Sequence, residues 1–361
     1  VDTTLRQRPE LVGAVAVGLL ALLLSLARTL VEPSWPTDFD QWYYAARAMR
    51  QGLNPYDAVG PTSTFRWNWP LYYPISTVIL ALPYTALALP VARVCFATVG
   101  GAILGFALGK DHFRRIGLLL SAAFLIAVFR NQWSPYITAA YFVPLAALFV
   151  AAKPNMAVPF VAGIRDWRQF RWLAALGAVV GAVTLIVRPT WPLDWLGSLR
   201  EMQHIVAPVM RPGGWLLALA LLKWRRPEAR MFLALVCVPQ TPSLYDLLPL
   251  FVVTRTTREV SLLAFLTHAL FFVIVVRGPF DAFNTYAYEL GNLATFLIYL
   301  PVMVMLLRRP NVFRDPVDAH PVRRSWREQV GALSRVDAML LLINASLAAL
   351  LVWLSVSTSR A

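Results

Sequence analysis

The sequence predicts an all-α, polytopic membrane protein, a transmembrane helical bundle of about 11 to 13 spans with several of them broken. Three observations point there. Of the 361 residues, 58% are hydrophobic and only 14% charged, more apolar than a soluble core of this size requires. Mean hydropathy is +0.58. The net charge of +14 is carried by short Lys/Arg clusters between apolar runs, as positive-inside topology requires and as a single nucleic-acid surface would not. Part of that excess can face the anionic headgroups of membrane lipids. Cys95 and Cys237 fall within apolar runs and read as small hydrophobes.

The first run, 11–31, follows Arg6 and Arg8. It is longer than a signal-peptide core and has no small-residue cleavage site before Pro33, so it reads as an uncleaved span. Further candidate spans are 71–89, 91–109, 116–130, 135–151, 155–164, 172–188, 214–223, 230–239, 244–254, 260–277, 290–307 and 337–356. Those of about ten residues cannot cross alone as α-helices, so 155–164 and the pair 230–239 and 244–254 are expected as half-helices or re-entrant pieces. Pro74, Pro83 and Pro90 bend or bound the second span. Gly100, Gly101 and Gly105 read as helix packing. The chain divides into a membrane-embedded unit at 1–307, a basic cytoplasmic linker at 308–336, and a peripheral last helix with its tail at 337–361.

With the N-terminus in the cytoplasm, the basic clusters at 165–171, 223–230, 255–259 and 308–335 all fall inside. Only 110–115 falls outside, against the rule. This partition counts Lys110, Arg114 and Arg115 as outer cations and leaves Arg93 and Arg130 inside. The outer loops are then 32–70, 189–213, 239–244 and 278–289. In the first of them Trp42, Ala46 and Met49 share one face of a short helix expected to lie in the interface. Gly52 and Pro55 end that helix, and Trp67, Trp69, Tyr72 and Tyr73 return the chain to the bilayer.

Chemistry is expected in this loop. Asp38 and Asp40, in extended chain after Pro36, would point to one side, and paired carboxylates are the groups that general-base work uses. Asp40 alternatively caps the helix that follows. Tyr43, Tyr44 and Tyr56 supply rings on which a sugar or acceptor could stack. Lys153, at a helix break, and Arg211, before Pro212-Gly213-Gly214, are placed to meet a phosphate, although an apolar-flanked lysine also snorkels to headgroups. His204 is the one histidine in an outer polar loop. Tyr245 lies where a broken span meets the outer face, the kind of place that lines a cavity. Among the familiar short motifs, no phosphate-binding loop, dinucleotide fingerprint or zinc-protease pattern competes.

Residues 38–57, DFDQWYYAARAMRQGLNPYD, resemble the first outer loop of bacterial polyprenol-phosphate-sugar-dependent glycosyltransferases of the C-type superfamily, in particular the mannosyltransferase-like glycosyltransferase family 87. Residues 67–90 are similar to that family's proline-punctuated second span, and 151–171 to its Lys-Pro element with a basic turn. The resemblance implies an inverting transferase in the bacterial cytoplasmic membrane, with its active site on the extracytoplasmic side. A hexose, by resemblance mannose, would move from a polyprenyl-phosphate donor to a lipid or glycan acceptor. Asp38 would be the base, with Asp40 its competitor, and no cofactor or metal is required. A transporter or flippase of a lipid-linked substrate is the alternative, although the sequence shows no internal repeat. A non-catalytic scaffold is the third.

Overall fold

A computed structural model of the chain describes residues 8–200, 206–240, 243–280, 282–313 and 333–357. Among the described residues six helices are long and apolar enough to cross a membrane: α1 (Pro9–Val31), α3 (Leu89–Lys110), α7 (Trp167–Val187), α9 (Thr257–Arg277), α10 (Phe283–Leu307) and α11, whose apolar stretch is Arg335–Ser355. The shorter helices named below are α2 (Asp38–Arg50), α4 (Ala122–Phe129), α5 (Ser134–Ala140), α6 (Pro154–Ala162) and α8 (Pro227–Cys237). The chain is an all-α polytopic membrane protein, as its composition predicts. Helix α10 contains a π-turn at Thr295–Tyr299.

Helices α1 and α3 pack antiparallel along a glycine seam. A Cβ added to Gly105 would overlap the Gly13 carbonyl, one on Gly101 would meet Val17 and Ala21, and one on Gly109 would strike Pro9 and Glu10. Small residues let two backbones approach where lipid supplies no hydrophobic drive. Gly105→Val should therefore destabilise the bundle by about 1–3 kcal/mol, the cost of overpacking, read as a lower Tm in detergent. An unchanged Tm would refute the seam.

This pairing defines two ends of the molecule and corrects the topology expected from hydropathy. Lys110 lies 3.9 Å from Glu10 at the first end, and Arg93 bonds the Pro33 carbonyl at the second. Residues 32–88 thus leave and return at the same end, and 71–89 does not cross. It forms two short helices, Ile75–Ala81 and Leu82–Ala86, bounded by the prolines noted above. A second segment also turns back: Gln132 bonds Asp38, and Lys153 bonds Asp246, the neighbour of Tyr245, which bonds Asp38 as well, so 134–153 enters and leaves at the second end as α5 and a 3-10 helix at Pro144–Ala152. Two of the expected crossings are thereby lost, and among the described residues the helices of membrane length number six.

The basic cluster 110–115 now joins the others. Arg115 donates to the Phe251 and Val252 carbonyls, and Arg309 to Val253 and Glu259. Glu228 faces Arg165, Arg226 and Arg255, while Arg230 donates to Ala162 and Ile164. The former exception was a miscounted span, and all these cations gather at the first end.

Short segments reach between the ends by overwinding. Gly214–Lys223 and Leu244–Val252 are 3-10 helices of 10 and 9 residues. At about 2.0 Å per residue they span roughly 18–20 Å, against about 14–15 Å as α-helix.

Candidate functional site

The second end is organised by the first turn of α2. Thr37 precedes the helix, its backbone N–H donating to Asp40 Oδ2 and its hydroxyl to Oδ1, both at 3.0 Å. The start of the helix is thereby capped. Arg93 closes the same carboxylate with a two-pronged contact, Nε to Oδ1 at 2.8 Å and Nη2 to Oδ2 at 2.6 Å. Asp40 is 2% exposed and fully engaged, tying α2 to α3. The residues expected in extended chain are helical because Thr37 and Asp40 form a capping box. At about 100° per residue the side chains of Asp38 and Asp40 diverge, so they are not a dyad. Nor does α2 lie on the surface: Phe39, Trp42, Ala45 and Ala46 are buried, with Trp42 against Trp133, Phe96 and Tyr73.

Asp38 has a different environment. Arg130 Nη2 donates to its Oδ1 at 2.8 Å, while Gln132 Nε2 and the Tyr245 hydroxyl donate to Oδ2, the latter at 3.1 Å. Its backbone N–H reaches the Arg130 carbonyl at 3.2 Å. The residue is 8% exposed. One turn supplies two of these donors: α4 ends at Arg130, and Asn131 takes a left-handed φ of 51°, a conformation that asparagine tolerates. The Asn131 amide donates to the Arg93 carbonyl at 2.5 Å, so Arg130 and Gln132 both face Asp38. Burial works against the Arg130 charge, but the Asp38 carboxylate and the Tyr245 oxygen outweigh it and hold its pKa above the ordinary value. The Tyr73 hydroxyl is pushed well up, by burial first and then by Asp38 and Asp246.

Behind Tyr245, Asp246 accepts from Lys153 at 2.6 Å, and the ammonium lies 4.9 Å from the Tyr245 ring centroid. Lys153 sits at the break before α6, where the Ser76 and Thr77 hydroxyls take up the Ala151 and Ala152 carbonyls at 2.7 Å. Its charge is committed to Asp246. Arg211 is the opposite case. It is 6% exposed, and it donates to the Tyr288 carbonyl at 3.2 Å and the Asn292 side chain at 3.3 Å. Gly291 makes room for it, because an added Cβ would overlap the guanidinium. Among the described residues no carboxylate pairs with it, and burial lowers its pKa. It lines a narrow cleft with Gln240, Ser243, Asp246, Leu270 and Tyr299. Gly291→Leu should displace the guanidinium and occlude the cleft. A crystal or cryo-EM structure of that variant with Arg211 unmoved would refute this.

The remaining candidates are dispersed. The Tyr43 hydroxyl donates to the Leu87 carbonyl at 2.7 Å and that of Tyr56 to the Tyr73 carbonyl at 3.2 Å, so both are structural. Tyr44 stacks on Phe65 at 4.1 Å. His204 lies outside the described residues. Sequence reasoning missed Arg130 and Gln132, counted with the inner side because the second span was miscounted. Their signal was a polar triplet, Arg130-Asn131-Gln132, between two apolar runs.

In comparison with known proteins, the chain matches no family model, no curated protein and no solved structure.

Proposed function

We propose that the chain is a membrane glycosyltransferase that moves a hexose from a polyprenyl phosphate to a hydroxyl of a lipid or glycan, with Asp38 as the general base. One juxtaposition supports this reading above all. Tyr245 and Asp246, adjacent on one overwound helix, connect a buried carboxylate on one side with a cleft on the other that holds Arg211, a guanidinium with no carboxylate partner among the described residues. An amphiphile with an anionic head needs such a cleft, and a proton acceptor beside it completes what transfer to a hydroxyl requires.

The acceptor oxygen attacks the anomeric carbon from the face opposite the phosphate. The bond from that carbon to the phosphate oxygen breaks with its electron pair staying on phosphate, and the hydroxyl proton passes to Asp38. Polyprenyl phosphate and an inverted glycoside result. Arg211 meets the phosphate charge, while leucines of the cleft take the first isoprene units. Lys153 keeps Asp246 and Tyr245 in place and has no role with the phosphate. The donor sugar follows the resemblance of 38–57 and is taken as mannose. With the basic clusters at one end in the cytoplasm, the acid and the cleft face outward.

The test is transfer of labelled mannose from synthetic polyprenyl-phosphate mannose by the purified protein in liposomes, with glycolipid and glycan acceptors. Sugar transfer dependent on Asp38 is the expected result. Protein that moves the labelled lipid between leaflets without transferring sugar would make it a transporter instead.

A further inference from the structure

The Asp38–Arg130 pair is lopsided. The Asp38 side chain is 11% exposed and that of Arg130 34%. Asp38 accepts three side-chain hydrogen bonds. Arg130, among the described residues, spends a single nitrogen, Nη2, on a side-chain partner, leaving Nε and Nη1 with donors in hand. A guanidinium fork is best matched by a phosphate or carboxylate that it can grip in two places. Arg130 is linked to the cleft of Arg211 in two steps: the Asp38 carboxylate that it grips also accepts from Tyr245, whose chain neighbour Asp246 lines that cleft with Arg211.

We propose that Arg130 is a switching residue: when the lipid phosphate arrives, its guanidinium leaves Asp38 Oδ1 for a phosphate oxygen, so that anion binding and release of the base are one event. This rests on the polyprenyl-phosphate reading above and adds an order to it. Without the lipid, Arg130 occupies the oxygen that would take the acceptor proton, and water is not activated in its place. With the lipid, the charge that restrained the base stabilises the leaving group. Asp38 and the phosphate compete for one cation, so each weakens the other's hold on it by the same factor.

The test is a double-mutant cycle on binding, which needs no sugar transfer. The full chain in neutral-lipid nanodiscs is titrated with undecaprenyl phosphate, followed by tryptophan fluorescence, with uncharged undecaprenol as control. Asp38→Asn should tighten phosphate binding by about tenfold and Arg130→Met should weaken it by about as much. In the Arg130→Met background, Asp38→Asn should give little further change. Arg130→Lys keeps the charge without the fork, should fall between, and serves in the cycle if Arg130→Met does not fold. Equal tightening by Asp38→Asn with or without Arg130 would mean simple charge repulsion and overturn the switch, as would affinities unchanged by either substitution. Phosphate preference lost in Arg211→Gln but kept in Arg130→Met leaves the lipid-phosphate reading standing and the switch refuted. A wild-type protein that binds undecaprenyl phosphate no better than undecaprenol removes both.

Discussion

Asp38→Asn should lower hexose transfer by at least about a hundredfold, the lower bound for loss of a positioned general base, while the protein keeps its melting temperature. The two halves of this expectation come from the same geometry. Asparagine has the size of aspartate, and its carbonyl oxygen can still accept from Arg130. Its amide then faces Gln132 and Tyr245, and the tyrosine hydroxyl can turn from donor to acceptor. What is lost is the capacity to take a proton. The loss should fall on kcat, with KM for the lipid donor unchanged or lowered. Full transfer in Asp38→Asn, with a structure showing the side chain in place, would end the case for Asp38 as base.

Asp40→Asn should do the reverse, unfolding the second end before it affects chemistry. Arg93 is 4% exposed and holds both oxygens of Asp40, so neutralising the carboxylate leaves a buried charge without its partner. Such changes cost about 3–5 kcal/mol, and the same substitution weakens the Thr37 cap. A fall in Tm, with protease sensitivity appearing in 32–88, is the expected observation. A stable Asp40→Asn protein that has lost transfer would exchange the roles of the two acids. Arg93→Met tests the contact from the other side and should be as damaging, because Asp40 then keeps a buried charge.

The contrast between these acids was only half legible in the sequence. The spacing Thr37-x-x-Asp40 ahead of an aromatic run already fits a cap, and the helix of 38–50 follows from it. Partners at 93, 130 and 132 could not be read, since they stand 53 to 94 residues away and no local pattern links them. Helical class and the packing role of Gly101 and Gly105 were legible because composition and small-residue spacing are local, whereas their partner helix was not, and Gly100 packs on Tyr136 instead. The crossings at 71–89 and 135–151 were not, because a segment that turns back at one face has the same hydropathy as one that goes through. Proline punctuation was the available clue. Each error adds one crossing and reverses the side once, so the two cancel and the clusters from 165 onward still fell on one side. Between the errors, 110–115 and Arg130 were assigned to the wrong ends.

The seam between α1 and α3 also acts as a gauge. Its glycines fit in one register, and a slip of one helical turn would carry Arg93 about 5.4 Å along the axis, beyond any grip on Asp40. The depth at which the polar cap rides on the bundle is therefore set by contacts deep among the lipid tails. Substitutions in that dry seam should reach the acid pocket by changing its height, without touching any residue in it.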